Sequence, residues 1–289
     1  YANQNAYDAI LMRIAIDNNP DFKPKIEVII TNSTITILDN GIGMDEYILQ
    51  NNFWKAGSSG KNNEEAKLQI ENLKPDYIIV AAYGQILPKE ILNIAPCINL
   101  HASLLPKYRG ASPIQESLLN DDIYTGVTSM LMEEGLDSGD ILGLQYLRIT
   151  STMEVSEAFE KLSLIAAKLT ITTLDNFENI KPIKQNESQV SFCKKIKKED
   201  GLIDFIDAKK LYLKYKAYSY WPGIFLESEL KLKDIELNDE KSINNQGQIL
   251  EINSDFIIVG CEKGSLKIKT LQAPSKKAMN AIDYIRGQR

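Results

Sequence analysis

The run Tyr77-Ile-Ile-Val-Ala-Ala82 contains no polar alternation, and that limits the fold more than any other feature of the chain. A strand with one face in water alternates polar and apolar side chains, so an unbroken apolar run predicts a parallel strand covered by helices on both faces. Similar runs extend from Ile98 to His101, Gly126 to Met132 and Ile141 to Leu147. Helical patterns accompany them at 88–94, 112–120 and 153–176, the last with Val155, Phe159, Leu162, Ile165, Ala166, Leu169 and Leu174 at helical spacing. Strands alternating with helices read as an open α/β sheet.

The flanks have a different texture. Residues 1–20 predict a helix stopped near Asn19-Pro20, and 25–31 and 34–38 predict strands joined at Asn32-Ser33. Gly, Asn and Ser crowd 40–61, and Gly57 to Asn63 has the composition of a flexible loop, which places a boundary just beyond it. The polar, proline-punctuated stretch 180–200 reads as a linker. Short β runs follow at Gly223 to Leu226, Lys231 to Leu237, Gln248 to Ile252, Phe256 to Cys261 and Ser265 to Leu271, and suggest a small barrel with Trp221-Pro222 in its core. The expected organisation is therefore a fragment over 1–66, a catalytic domain over 67–180, a linker over 181–200 and a β-barrel over 201–289.

With 289 residues, 44% hydrophobic and 25% charged, the chain can bury a core, which excludes wholesale disorder. No stretch approaches about 18 consecutive apolar residues, and no charged-then-apolar leader opens the sequence, so a cytoplasmic monomer without a membrane segment is expected. Cys97, Cys193 and Cys261 stand apart, with no second Cys or His at metal-ligand spacing, which argues against a disulfide framework and a zinc site. The net charge of -6 conceals an asymmetry: residues 190–289 carry +4 and the first 189 carry -10. Lys194, Lys195, Lys197, Lys198, Lys209, Lys210, Lys214 and Lys216, interleaved with Tyr212, Tyr215, Tyr218 and Tyr220, form a basic and aromatic stripe. Two readings of it stand side by side, a track for a phosphate backbone and the solvated face of an amphipathic helix.

The chain has a single histidine, at the end of an apolar strand in Ile98-Asn99-Leu100-His101. Side chains two apart in a strand share a face, so Asn99 and His101 project together near the carboxyl end, where open α/β sheets place their ligands. The loop Gly135-Leu136-Asp137-Ser138-Gly139-Asp140 precedes the next strand with two glycines and two carboxylates. An amide donor, an imidazole and a carboxylate fit acyl transfer to an amine, with Asn99 and a protonated His101 on the oxyanion and Asp137 orienting His101 or removing a proton from the attacking nitrogen.

Longer stretches carry a resemblance. Ala82-Tyr83-Gly84-Gln85-Ile86-Leu87-Pro88, Asn99-Leu-His-Ala-Ser-Leu-Leu-Pro-Lys-Tyr-Arg-Gly-Ala-Ser-Pro-Ile-Gln115, Thr125-Gly126-Val127-Thr128, Gly135 to Asp140 and Gln272-Ala-Pro-Ser-Lys-Lys-Ala-Met279 resemble the methionyl-tRNA formyltransferase family. The resemblance implies an incomplete Rossmann-like sheet followed by a barrel of the oligonucleotide-binding type, and formyl transfer from 10-formyltetrahydrofolate to methionine on initiator tRNA. It implies Asn99, His101 and Asp137 as the catalytic trio and no metal. It implies a folate pocket from Tyr83, Gly84, Gln85, Ile86, Leu87, Pro88, Ser103, Leu104, Leu105, Pro106, Gly135 and Leu136, although Pro88, Leu104, Leu105 and Pro113 suit the setting of turns and packing better than contact with substrate. Lys107, Arg109, Lys194, Lys195, Lys197 and Lys198 would meet tRNA, with a phosphate or a carboxylate as the partner open to Arg109 and Lys107.

The front of the chain departs from that family's pattern. Asn5-Ala6-Tyr7-Asp8-Ala9-Ile10 and Thr36-Ile-Leu-Asp-Asn-Gly-Ile-Gly-Met44 instead resemble the nucleotide-binding fold of gyrase, heat-shock chaperone, histidine-kinase and mismatch-repair ATPases. That resemblance implies Asn5 on magnesium, Asp39 on the adenine amine and Gly41 and Gly43 beside the nucleotide, as vestiges, since Tyr1 stands where the general-base glutamate belongs. Two rival functions follow: a nucleotide-binding fragment with an inert passenger, or a formyltransferase acting on a sugar-nucleotide or ribonucleotide amine.

Overall fold

The computed structural model describes residues 26–30, 35–39, 63–83 and 86–287. β1 (Ile26–Ile30) and β2 (Ile35–Asp39) are an antiparallel pair with Ile30 opposite Ile35 and Ile26 opposite Asp39. They belong to one compact unit, and residues 67–82 and 86–287 to a second. The helix expected over 1–20 and the loop over 40–61 lie outside the described residues.

The second unit begins in α1 (Asn63–Leu73), where Lys67 and Glu71 pair one turn apart at 3.7 Å. Next in order come β3 (Ile78–Ala81), α2 (Lys89–Leu92), β4 (Cys97–His101), β5 (Arg109–Gly110), α3 (Pro113–Leu119), β6 (Tyr124–Leu131), β7 (Ile141–Arg148) and α4 (Val155–Asp175). Pro113 opens α3, the position where its fixed φ and missing N–H are harmless. The main sheet has the order β3-β4-β6-β7. Ile98, Val127, Met130, Met153, Val155 and Leu162 are almost fully buried around it, each such side chain contributing about 1.5–3 kcal/mol by leaving water.

The sheet departs from the expectation in two ways. Only β3 and β4 run parallel; β6 is antiparallel to β4, and β7 to β6. The stretch 132–140 between β6 and β7 is long enough for a hairpin and too short for the crossover of a dozen or more residues that a parallel pair needs. β3 stands at the end of the strand order, and Ile79 on it is exposed, so its apolar run is half-buried and not covered on both faces. β4 and β6, each between two neighbours, are the strands buried on both faces.

The stretch read as a linker is built into the catalytic domain. Ile183 bridges Ile141, and β8 (Phe192–Cys193) pairs in parallel with β5. After it, α5 (Ala208–Tyr218) leads to β9 (Ile224–Phe225), β10 (Lys231–Asp239), β11 (Ile249–Ile252), β12 (Ile257–Gly260), β13 (Ser265–Gln272), β14 (Met279–Asn280) and α6 (Ala281–Arg286). These strands form an antiparallel sheet in the order β11-β12-β13-β10-β9, with β14 on β13. Its core is Ile235, Ile257, Val259, Leu266, Ile268 and Leu271 against Ala208, Leu211 and Tyr215 of α5. Trp221, expected there, is half-exposed, whereas Ile224 and Leu232, opposite each other on β9 and β10, are buried.

The second half of the lysine and tyrosine stripe, Lys209 to Tyr218, falls on α5, and neither reading of it holds for the helix. Leu211, Leu213, Tyr215, Lys216, Ala217 and Tyr218 are all buried, because the helix packs against α3 on one side and β10 on another. Apolar and aromatic residues on two faces leave no wide polar stripe for water or phosphate. Lys216 is 3% exposed and donates to Ser151 O at 3.1 Å, Lys214 donates to Leu202 O at 2.6 Å, and Lys209 pairs with Asp121 at 2.9 Å.

Candidate active site

β4 delivers Asn99 and His101 from one face, two residues apart, at its carboxyl end. The chain then turns back through 102–108. Ser103 Oγ donates to Lys107 O at 2.6 Å, Thr128 Oγ1 donates to Ser103 O at 2.7 Å, and Thr128 Oγ1 accepts from Leu105 N at 3.0 Å. Ser103 and Leu105 are therefore buried supports of the turn and present no side chain to a ligand. The turn ends at Tyr108, whose left-handed φ of 61° aims its carbonyl at His101. His101 Nε2 lies 2.8 Å from Tyr108 O. A carbonyl only accepts, so Nε2 carries the hydrogen and Nδ1 faces Asp137 Oδ2 at 3.7 Å.

Asp137 reaches this point from the loop before β7. Its φ is 49°, a left-handed conformation that costs a residue with a Cβ about 1–2 kcal/mol unless its surroundings hold it. They do: Oδ1 accepts from Asn99 Nδ2 at 3.3 Å and Oδ2 from Gly110 N at 2.8 Å. Gly110 has φ 117°, and a Cβ there would collide with Cys193 O across the β5–β8 pair. The glycine thus supplies both the conformation and the close approach that bring a backbone N–H to the carboxylate.

Asn99, His101 and Asp137 are brought together as the sequence reading requires, and the segment 185–193 completes the arrangement in a way it missed. Gln185 is 8% exposed. Its Oε1 accepts from Arg109 Nε at 3.0 Å and Nη2 at 2.8 Å, and its Nε2 donates to Asp137 O and Gly139 O, both at 2.8 Å. Arg109 Nη2 also meets Glu187 Oε1 at 2.8 Å. Ser191 Oγ and O receive the N–H groups of Tyr108 and Arg109 at 3.0 and 2.9 Å. Cys193 lies behind Gly110, and burial pushes its thiol above the ordinary 9.0, away from thiolate chemistry.

The remaining predicted residues separate into two sets. Arg109, expected on tRNA, is 4% exposed and turned inward to Gln185 and Glu187, so the tRNA assignment is corrected. A guanidinium has five donors, and a buried amide oxygen with a carboxylate satisfies several of them where water cannot. Lys107, Lys194, Lys195, Lys197 and Lys198 do face solvent. Lys194 pairs with Asp200 at 2.8 Å, and that ammonium, with Lys197 N, holds the Asp200 carboxyl below its ordinary value. On the folate side, Lys89 and Glu134 bridge at 2.8 Å, joining the segment after Pro88 to the loop that bears Leu136. Ile86 and Leu136 are exposed apolar side chains on those two segments; Tyr83, Leu87, Pro88, Leu104 and Pro106 are half-buried and Gly135 is exposed. Gly84 and Gln85 lie outside the described residues, as do Asn5, Gly41 and Gly43; Asp39 is the last residue of β2.

Among the described residues no three His, Cys, Asp or Glu side chains cluster as metal ligands, and no helix is long and apolar enough to cross a membrane.

A family model described as formyl transferase matches residues 21–174, and one for the formyl transferase C-terminal domain matches 195–289. The first span runs across Asp39, Gly41 and Gly43, and gives the ATPase-like reading of that segment no support. Methionyl-tRNA formyltransferase of Nitratiruptor sp. is 57% identical over 227 residues, 78% of this chain and 75% of the relative. The enzyme of the same name from Wolinella succinogenes is 54% identical over 217 residues, 75% and 71% of the two chains. Among solved structures, HypX from Aquifex aeolicus in complex with tetrahydrofolic acid superposes with a TM-score of 0.61 at 18% identity, over 78% of this chain and 41% of that one. An N-formyltransferase from Helicobacter canadensis, with folinic acid and dTDP-3-aminofucose, gives 0.57 at 16% identity over 78% and 93%. Those two share the fold: an α/β Rossmann-like formyltransferase domain, followed here by a β-rich one. With both domains matched and relatives above half identity along most of either chain, this protein belongs to the methionyl-tRNA formyltransferase family.

Proposed function

We propose that the chain formylates the amino group of methionine esterified to initiator tRNA, with Asn99, His101 and Asp137 as the catalytic residues. The observation that carries this reading is the Asp137 carboxylate, which lies 3.3 Å from Asn99 Nδ2 and 3.7 Å from His101 Nδ1 at the mouth of the sheet. The co-substrate, 10-formyltetrahydrofolate, supplies the formyl carbon and a nitrogen leaving group. The exposed apolar Ile86 and Leu136 on two bridged segments suit the flat, largely apolar body of a folate, and the solved relative from Aquifex carries tetrahydrofolic acid.

In the transition state the carbonyl oxygen gains negative charge. Asn99 Nδ2 is a preorganised donor for it, since its partner Asp137 fixes the amide plane. The attacking amine must lose a proton as the carbon–nitrogen bond forms, and the departing nitrogen must gain one. Asp137 and His101 Nδ1 share the position for that transfer, with Nε2–H anchored on Tyr108 O so that the ring cannot swing away. Lys107, Lys194, Lys195, Lys197 and Lys198 are the exposed cations suited to tRNA phosphates, and the β-rich C-terminal domain is read as a barrel of the oligonucleotide-binding type.

The test is transfer of labelled formyl from 10-formyltetrahydrofolate to methionyl initiator tRNA by the full chain, read as formylmethionine after the ester is cleaved. Formylation of an amino sugar nucleotide with no formylmethionine overturns the proposal.

A further inference from the structure

We infer that Gln185 is a positioning residue for Asp137, so that the stretch between the two domains sets the geometry of the catalytic carboxylate. The inference rests on the reading of Asp137 as catalytic. Every hydrogen-bonding position of the Gln185 amide is in use. Two Arg109 donors fill the oxygen at 3.0 and 2.8 Å, and the two N–H bonds end on Asp137 O and Gly139 O at 2.8 Å. The two carbonyls flank the turn that holds Asp137 at φ 49°. Arg109 in turn precedes Gly110, whose N–H fixes Asp137 Oδ2 at 2.8 Å.

One amide therefore joins both supports of the carboxylate, its own backbone and the β5 residue beside the donor that its oxygen accepts. Burial raises the demand on this arrangement, because Gln185 and Arg109, 8% and 4% exposed, have little access to water that could replace a lost partner. Gln185 touches neither reacting atom; its effect passes through where Asp137 Oδ1 and Oδ2 stand relative to Asn99 and His101.

Gln185→Leu removes all four bonds, and Gln185→Glu keeps the acceptor for Arg109 while replacing both donors with an oxygen that repels the carbonyls. In the full chain we expect kcat to fall about 10–100-fold for either, with KM for methionyl-tRNA within about 2-fold, measured on protein whose near-ultraviolet circular dichroism shows it folded. The same substitutions made on Asp137→Ala are expected to change kcat no further, since the positioned group is gone. A role in folding alone predicts an unchanged kcat per folded molecule, or losses that multiply with Asp137→Ala, and either result overturns the inference. Should Gln185→Leu fail to fold, Gln185→Glu decides on the same criteria. If Asp137→Ala by itself keeps the full rate, the catalytic reading of Asp137 has failed, which the single variant reports separately.

Discussion

The rim of the sheet and helix α5 are both crowded with polar side chains, and the fold uses them in opposite ways. At the rim, Asn99, His101 and Asp137 come from two distant segments, the carboxyl end of β4 and the loop between β6 and β7, to one place. On α5, lysines and tyrosines adjacent in sequence are separated by the packing: Lys216 turns into the domain interface, Tyr215 OH donates to Glu154 Oε1 at 3.2 Å, and Lys209 pairs with Asp121. A composition that suits nucleic acid says little once its element is packed on two sides, whereas three dissimilar residues at strand and loop ends are gathered into one place by topology.

The sharpest way to break this contrast is at the rim. Asn99→Ala is expected to lower kcat by about 10²–10³ if its amide meets the oxyanion, measured as formylmethionine formed per second under saturating substrates. A loss below about 3-fold removes Asn99 from the chemistry and leaves the rim no more catalytic than the helix. Gly110→Ala ranks next. The new Cβ meets Cys193 O at a backbone φ of 117°, so the β5–β8 pair must open and the N–H must leave Asp137. A destabilisation of about 1–3 kcal/mol in urea unfolding with a fall in kcat of the folded fraction is expected. Wild-type stability in this variant would show that the close approach is dispensable.

The basic side of the contrast calls for a salt titration. Replacing Lys194, Lys195, Lys197 and Lys198 with Gln is expected to weaken tRNA binding and to flatten the slope of log K against log salt by up to about 3, at about 0.7–0.9 per phosphate contact. Lys216→Met is expected to leave that slope unchanged. It is also expected to leave stability equal or higher, because burial pushes the Lys216 ammonium below its ordinary 10.5. The unfolded chain then holds that proton more tightly, so wild-type stability rises as pH climbs toward 10.5 and the variant lacks the rise. A slope that moves with Lys216→Met reverses the assignment of the two sets of lysines.

Much of this was legible before the structure. The β runs of the C-terminal domain fall within two residues of β9 to β13, because turn residues bound short apolar segments on both sides. The shared face of Asn99 and His101 was legible from spacing, and the loop that bears Asp137 from its glycines, which do not choose between Asp137 and Asp140. The antiparallel pairing of β7 with β6 was also available, in the shortness of 132–140, but the direction of β6 against β4 was not, since apolar periodicity speaks to burial and is silent on direction. Gln185 had no local signal. Its partners lie 46, 48 and 76 positions away, and a lone amide in a polar, proline-punctuated stretch reads as linker. The inward turn of Arg109 was hidden for the same reason, since Gln185 and Glu187, which take its donors, lie 76 and 78 positions away.

The smallest effect sharpens the claim that α5 is a fixed structural element. Asp207 caps the helix, accepting from Lys210 N at 3.1 Å, and meets Lys263 Nζ at 3.4 Å. Burial alone would raise its carboxyl, but the Lys210 N–H and the Lys263 ammonium outweigh that and hold it below the ordinary 3.8. A carboxyl lowered on folding stabilises fully above its unfolded value and loses the contribution as pH falls through the folded one. Asp207→Ala is therefore expected to cost about 1 kcal/mol at pH 7, and Asp207→Asn, which still caps, only a few tenths. Both gaps should narrow in urea unfolding as the pH is taken below 3.8. An Ala gap that stays constant across that range would mean that the helix is held by the packing of Leu211 and Tyr215, with no contribution from the charge at its start.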